Sequence, residues 1–266
     1  MFLAVNGIQY WYELNGEGEP VVLLHGFTGT GATWEKIVVE WMPDFQTLTI
    51  DLPGHGKTRP GQAKSMENFC RDLAALLDEL YLEKVHLIGY SMGGRTALSF
   101  SMYYPERIKS LTLESASPGI DDEKMRKKRH QQDVKLAEWI ESDGIKAFVD
   151  YWEKLPLFES QRHLPESIRE EIRHERLSHS PGGLSESLRF MGAGAQSPWQ
   201  KELPCIPSPV LLLSGEYDKK FIEINQMMER LIPSAEHTTV QHAGHAIHVE
   251  RPSIFGKIVT GFLKSV

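Results

Sequence analysis

Val85-His86-Leu87-Ile88-Gly89-Tyr90-Ser91-Met92-Gly93-Gly94-Arg95 is the stretch on which the reading of this chain turns. The short run at 85–88 predicts a buried strand, and the residues from Gly93 onward (GGRTALSFSMYY) predict a helix. Between them lies G-x-S-x-G, with Ser91 at its centre. A strand that turns straight into a helix must bend sharply. The bend holds the serine in a strained conformation, and glycines two residues to either side remove side chains it cannot accommodate. The helix that starts there also points its free N–H groups at any negative charge developing beside the hydroxyl.

Similar short apolar runs recur at Pro20–Leu24, Gln46–Ile50, Ile108–Leu113 and Pro209–Leu213, with a last candidate at Glu236–Val240. Runs that are apolar at consecutive positions fit strands covered on both faces. Helical spacing at Asn68–Leu80, between two such runs, adds the alternation of an α/β fold with a mostly parallel central sheet flanked by helices. At the N-terminus, Phe2–Tyr12 and Asn15-Gly16 predict an antiparallel edge hairpin leading into Pro20. From about Pro118 to Pro204 the chain is charged and helix-like with no convincing strand. The expected organisation is therefore a core of residues 1–117 and 205–266, with a helical lid at 118–204.

Asp218 follows the run ending at Leu213, and His245 follows the last strand candidate in Ala243-Gly244-His245. The order Ser…Asp…His, each past the end of a strand, places all three at the edge where open α/β sheets carry their sites. Asp218 would hold the imidazole in the tautomer that accepts a proton from Ser91. His25-Gly26-Phe27 follows the first buried run, so the backbone N–H groups of Phe27 and Met92 are the expected oxyanion hole. His25 is expected to shape that loop. His242, His245 and His248 are three apart, but the triad outweighs a metal reading, and no metal or other cofactor is expected.

The chain has 266 residues and a formal charge of −7, which argues against a nucleic-acid partner or attraction to an anionic membrane. No apolar run approaches the roughly 20 residues of a membrane helix, and the N-terminus lacks the pattern of a secretory signal. The simplest expectation is a soluble cytoplasmic protein without membrane insertion; the oligomeric state is not legible. Cys70 and Cys205 are expected to pack as small apolar residues.

HGFTG (25–29), DLPGHG (51–56), GYSMGGR (89–95), GEYDKKF (215–221) and AGHAIHVERP (243–252) together resemble the α/β-hydrolase superfamily over nearly the whole chain. Three stretches are narrower: GYSMGGR itself, DYWEKLPLFESQ (150–161) and RLSHSPGGLSESLRFMGAGAQSPW (176–199). They resemble the 2-succinyl-6-hydroxy-2,4-cyclohexadiene-1-carboxylate synthases of menaquinone biosynthesis, although the run is slightly shortened near Ser197-Pro198-Trp199. The resemblance implies a carbon–oxygen lyase that eliminates pyruvate from an enolpyruvyl-bearing cyclohexene carboxylate, with the triad as proton-abstracting base. It also implies that Arg129 and Arg176 hold substrate carboxylates and that Lys220 is the family's basic residue after the aspartate. Tyr90, Trp152 and Phe158 are candidates to line the pocket, the alternative for Trp152 and Phe158 being simple core.

A small substrate with three carboxylates needs fixed cations in a protein of net negative charge. Arg95, one helical turn beyond Ser91, meets that need, because a buried arginine without an anion is costly. Its plainer alternative is an ion pair with a carboxylate of the lid; for Arg129 the alternative is a solvated helix face. A serine hydrolase cleaving an ester or a carbon–carbon bond through an acyl-enzyme uses the same triad. A neutral ester, however, gives no reason for Arg95.

Overall fold

The consecutive apolar runs form the middle of an eight-stranded sheet. The computed structural model describes residues 1–59, 61 and 63–266. Its strands are β1 (Phe2–Val5), β2 (Ile8–Asn15), β3 (Glu19–Leu24), β4 (Phe45–Ile50), β5 (Val85–Tyr90), β6 (Ile108–Glu114), β7 (Val210–Gly215) and β8 (Ala235–Val240). They lie in the order β1-β2-β4-β3-β5-β6-β7-β8. β1 and β2 run antiparallel, β2 pairs antiparallel with β4, and every pairing from β4 to β8 is parallel.

Alternation within these strands builds two cores. Val22, Leu24, Leu87, Leu111, Val210 and Leu212 face one side, against α2 (Met66–Glu79), α3 (Met92–Tyr103) and Met228 of α7 (Lys219–Leu231). Val21, Leu23, Ile88, Leu211 and Leu213 face the other, against α1 (Glu35–Trp41) and α9 (Pro252–Leu263). Complete burial of each such side chain stabilises the fold by roughly 1.5–3 kcal/mol. A strand covered on both faces has no solvent-facing side, so β3 and β7 are apolar at consecutive positions, and the polar residues Thr47, Thr49, His86, Ser110 and Thr112 of β4, β5 and β6 are buried. Ser65 starts α2 by accepting the Asn68 N–H, two residues before the helix expected from apolar spacing.

The edge differs from expectation. The hairpin turn is Asn6-Gly7, both with positive φ (45° and 81°), and β2 continues to Asn15. Gly16, read as part of the turn into Pro20, instead lets the chain pass the Phe45 carbonyl, which a Cβ would strike. β2 and β3 are not paired; β4 lies between them. Cys70 is buried as expected, whereas Cys205 is exposed, because the short turn Leu203–Cys205 buries only Leu203.

Between β6 and β7 the chain forms α4 (Glu123–Trp152), α5 (Glu166–Leu177) and α6 (Pro181–Met191), with no strand. Gly144, at φ 81°, breaks α4 and turns its second half back. Ala137, Ile140, Phe148, Val149, Leu184 and Leu188 form a separate small core here, and Phe27 from the main body packs against it. No helix among the described residues is long and apolar enough to cross a membrane.

Candidate active site

Ser91 occupies the junction of β5 and α3 with φ 51° and ψ −105°, a conformation that non-glycine residues rarely adopt. The glycines around it are steric requirements. A Cβ on Gly89 would strike the Gly93 carbonyl, and one on Gly93 would strike the Leu24 and His25 carbonyls. One on Gly94 would come within 2.6 Å of the Ala116 methyl. The turn is thus wedged between β3 and β6, and the Ser91 N–H donates to the Glu114 carbonyl at 2.8 Å.

His245 Nε2 lies 3.0 Å from Ser91 Oγ, and His245 Nδ1 lies 2.6 Å from Asp218 Oδ2. The Asp218 carboxylate accepts a hydrogen bond from Nδ1–H, which leaves Nε2 free to accept from the serine hydroxyl. Asp218 also accepts from the Phe221 N–H at the start of α7, so the helix that it caps holds its carboxyl in place. His242 and His248 are engaged elsewhere. The first faces the Tyr217 hydroxyl, and the second, fully buried, pairs with Glu114 at 2.8 Å. Glu250 accepts the Gly244 N–H and the Ser160 hydroxyl, tying the loop before His245 to the segment between α4 and α5. Met92 is the first residue of α3, and neither its N–H nor that of Phe27 has an acceptor among the described residues.

A cavity of about 170 Å³ opens on Ser91 and His245, and Phe27, Met92, Tyr90, Trp152, Phe158, Arg95, Arg129 and Lys220 all line it. A neighbouring hollow of about 600 Å³ shares Leu157, Lys220 and His245 with it. A 550 Å³ hollow beside α5 and Thr30 shares none of its lining. Aromatic rings pack around the relay, edge to face for Tyr90–His245 and Phe27–Trp152 and tilted for Phe221–His245. Tyr90 lies 5.4 Å from His245, Phe221 4.8 Å from His245 and Phe27 5.5 Å from Trp152, centroid to centroid. The Trp152 indole N–H is buried without an acceptor among the described residues.

Arg95 is half-buried and donates to the Met191 carbonyl at 3.0 Å and to Gln196 Oε1 at 3.3 Å, with no carboxylate in ion-pair contact among the described residues. Burial, with the Arg129 charge nearby, pushes its guanidinium down to about 10. Arg129 is partly exposed and pairs with the buried Asp133 at 2.7 Å. Burial of its ammonium and the Arg129 charge hold Lys220 below the usual lysine range. Arg176 is the exception. It is buried on the far side of Phe158, 4.7 Å from that ring, with Gln161 at 3.1 Å and Glu153 at 3.7 Å. There it lines a different hollow of about 330 Å³, of which Phe158 is also a wall.

Three buried histidines under the Phe27 loop were not singled out as a group by sequence: His25, His55 of DLPGHG, and His179 between α5 and α6. Each imidazole takes one backbone N–H and faces one backbone carbonyl. The pairs are Leu52 and Gly26 for His25, Thr28 and Pro53 for His55, and Gly56 and Thr28 for His179. Burial holds all three neutral, pushing His25 and His179 down to about 4 and His55 well below its ordinary value. The unfolded chain therefore takes up these protons first. Their full contribution to stability stands above pH 6.5 and is lost as pH falls toward 4, by ~3 kcal/mol for each of His25 and His179. Asp51 and Glu175, raised by burial, soften the slope. Denaturant titrations between pH 7 and 4 should show a fall that is shallower in His179→Gln; equal slopes would exclude His179 as a source.

A family model described as the alpha/beta hydrolase fold matches residues 19–252. A Bacillus subtilis (strain 168) protein provisionally named 2-succinyl-6-hydroxy-2,4-cyclohexadiene-1-carboxylate synthase is 46% identical, over 98% of this chain and 97% of its own. Among solved structures, MenH from S. aureus superposes with a TM-score of 0.91 at 37% identity, covering 98% of each chain. A malate-bound thermophilic esterase from Thermogutta terrifontis superposes with a TM-score of 0.89 at 27% identity, covering 100% of this chain and 98% of its own.

Proposed function

Because the chain belongs to the α/β-hydrolase fold family, and within it to the 2-succinyl-6-hydroxy-2,4-cyclohexadiene-1-carboxylate synthases, we propose that Ser91, His245 and Asp218 carry out the elimination of pyruvate from 2-succinyl-5-enolpyruvyl-6-hydroxy-3-cyclohexene-1-carboxylate. The observation that carries this reading is the Arg95 guanidinium, without a carboxylate partner among the described residues, in the cavity wall beside a complete serine–histidine–aspartate relay. The relay suits either a lyase or a hydrolase, whereas a cation left without a carboxylate suits a substrate that brings its own.

His245, oriented by Asp218, draws the Ser91 proton, and the serine oxygen removes the ring C–H proton next to the succinyl ketone. The enolate oxygen is held by the N–H groups of Phe27 and Met92. Collapse of the enolate forms the C2–C3 double bond, shifts the C3–C4 double bond to C4–C5 and breaks the C5–O bond. The leaving enolate of pyruvate takes up the proton that His245 drew from Ser91, which returns the relay to its starting state. No acyl-enzyme forms, and every step needs only this chain's own groups.

Arg95, Lys220 and Arg129 face the carboxylates, and the orphaned Trp152 N–H supplies a further donor. Arg176 joins them when Phe158, the wall between its hollow and the cavity, turns aside. Residues 118–204 act as a lid on the core formed by 1–117 and 205–266. Incubation with the enolpyruvyl substrate should release pyruvate stoichiometrically with the diene product; a folded sample that releases none would move the assignment to a hydrolase.

A further inference from the structure

Thr28, immediately after Phe27, has φ 69°, a left-handed conformation that a threonine holds only when its surroundings impose it. His55 Nε2 accepts the Thr28 N–H at 3.3 Å, and His179 Nε2–H donates to the Thr28 carbonyl at 2.9 Å. The Gly56 N–H donates to His179 Nδ1, which leaves the ring proton on Nε2, where Thr28 needs it. Two residues on, Glu175 of α5 accepts both the N–H and the hydroxyl of Thr30, at 2.9 and 2.6 Å. The same corner is seated closely: a Cβ on Gly54 would strike the Gly183 carbonyl, and one on Gly183 would strike that of Gly54.

We propose that His179, although it lies in the segment between α5 and α6, is a positioning residue for the oxyanion hole. By fixing the Thr28 carbonyl it sets the direction of the Phe27 N–H, so the hole is complete only when this corner sits on residues 54–56. Seating of the helical segment and assembly of the charge-stabilising site are then one event. The proposal rests on the reading of Phe27 N–H as an oxyanion donor.

The test compares three variants at His179 by the pyruvate-release assay and by the rate at which a fluorophosphonate probe labels Ser91, whose phosphoryl oxygen needs the same donors. His179→Ala should lower kcat roughly tenfold to a hundredfold with KM nearly unchanged, and slow labelling by a similar factor, since a single oxyanion donor is worth about a hundredfold or more. His179→Gln, whose amide nitrogen reaches the place of Nε2, should recover to within about threefold, while His179→Asn, which overlays only Nδ1, should stay near the alanine level. The Gln–Asn contrast decides the matter even if the alanine variant does not fold. Equal kcat and labelling in Gln and Asn, or a raised KM at constant kcat, would overturn the proposal. Absence of pyruvate release by the wild type would instead count against the substrate assignment, and the labelling contrast would still decide the role of His179.

Discussion

Ser91→Ala is expected to reduce pyruvate release about a thousandfold or more, with His245→Ala as damaging and the double variant no worse than either, because the relay acts as a unit. Its geometry explains the size. Ser91 is held by a backbone conformation that no relaxation of the loop can supply, since Gly89, Gly93 and Gly94 are wedged against β3, β6 and one another. Replacing the serine removes the only hydroxyl within hydrogen-bond reach of His245 Nε2 among the described residues, so no neighbour substitutes. Asp218→Asn should keep the packing yet lose a comparable factor, since an amide that donates to Nδ1 turns the imidazole to the wrong tautomer. Mass spectrometry during turnover separates the two chemistries that this relay serves. Elimination leaves Ser91 unmodified at all times, whereas an acyl-enzyme would add the acyl mass. An Ser91→Ala enzyme retaining a tenth of wild-type kcat would end the proton-abstraction scheme.

Much of this site was legible because its parts are demanded by local backbone geometry. Only glycine fits at 89 and 93, and only a residue just past a strand end can meet Ser91. Ser91, Asp218 and His245 therefore announce themselves in sequence order, and so do the runs that become β3 to β7. What stayed hidden depends on contacts between distant segments. The Asn6-Gly7 and Asn15-Gly16 pairs look alike as turns, and only the insertion of β4 between β2 and β3 tells which of them closes a hairpin. Arg176 reads as a pocket residue from its neighbours in sequence, yet the ring of Phe158 stands between it and the cavity that opens on Ser91. His55 reads as part of a superfamily marker, and His179 lies within the distinctive run 176–199, but nothing next to it in sequence assigns its imidazole a task. Their joint hold on Thr28 exists only once residues 28, 55 and 179 are folded together.

Arg95→Met is expected to lower kcat/KM for the tricarboxylate by about a hundredfold to a thousandfold while hydrolysis of a small neutral ester, if the relay supports any, stays unchanged. The separation follows from what Arg95 touches. Its guanidinium is half-buried, donates among the described residues only to Met191 O and Gln196 Oε1, and is pushed down to about 10 by burial and by the neighbouring Arg129 charge. Such a group is a burden on the folded state until an anion arrives. Removing it relieves the cost of burying a charge but gives up two hydrogen bonds, each worth about 1 kcal/mol, so the melting temperature should change little. Arg95→Lys should fall between, since an ammonium keeps the charge but loses the forked geometry that grips a carboxylate. If Arg95 were instead a structural strut for the end of α6, the methionine variant would melt earlier and lose both reactions in proportion. Stability held, ester turnover held and tricarboxylate turnover lost is the pattern that only an anion-binding arginine produces.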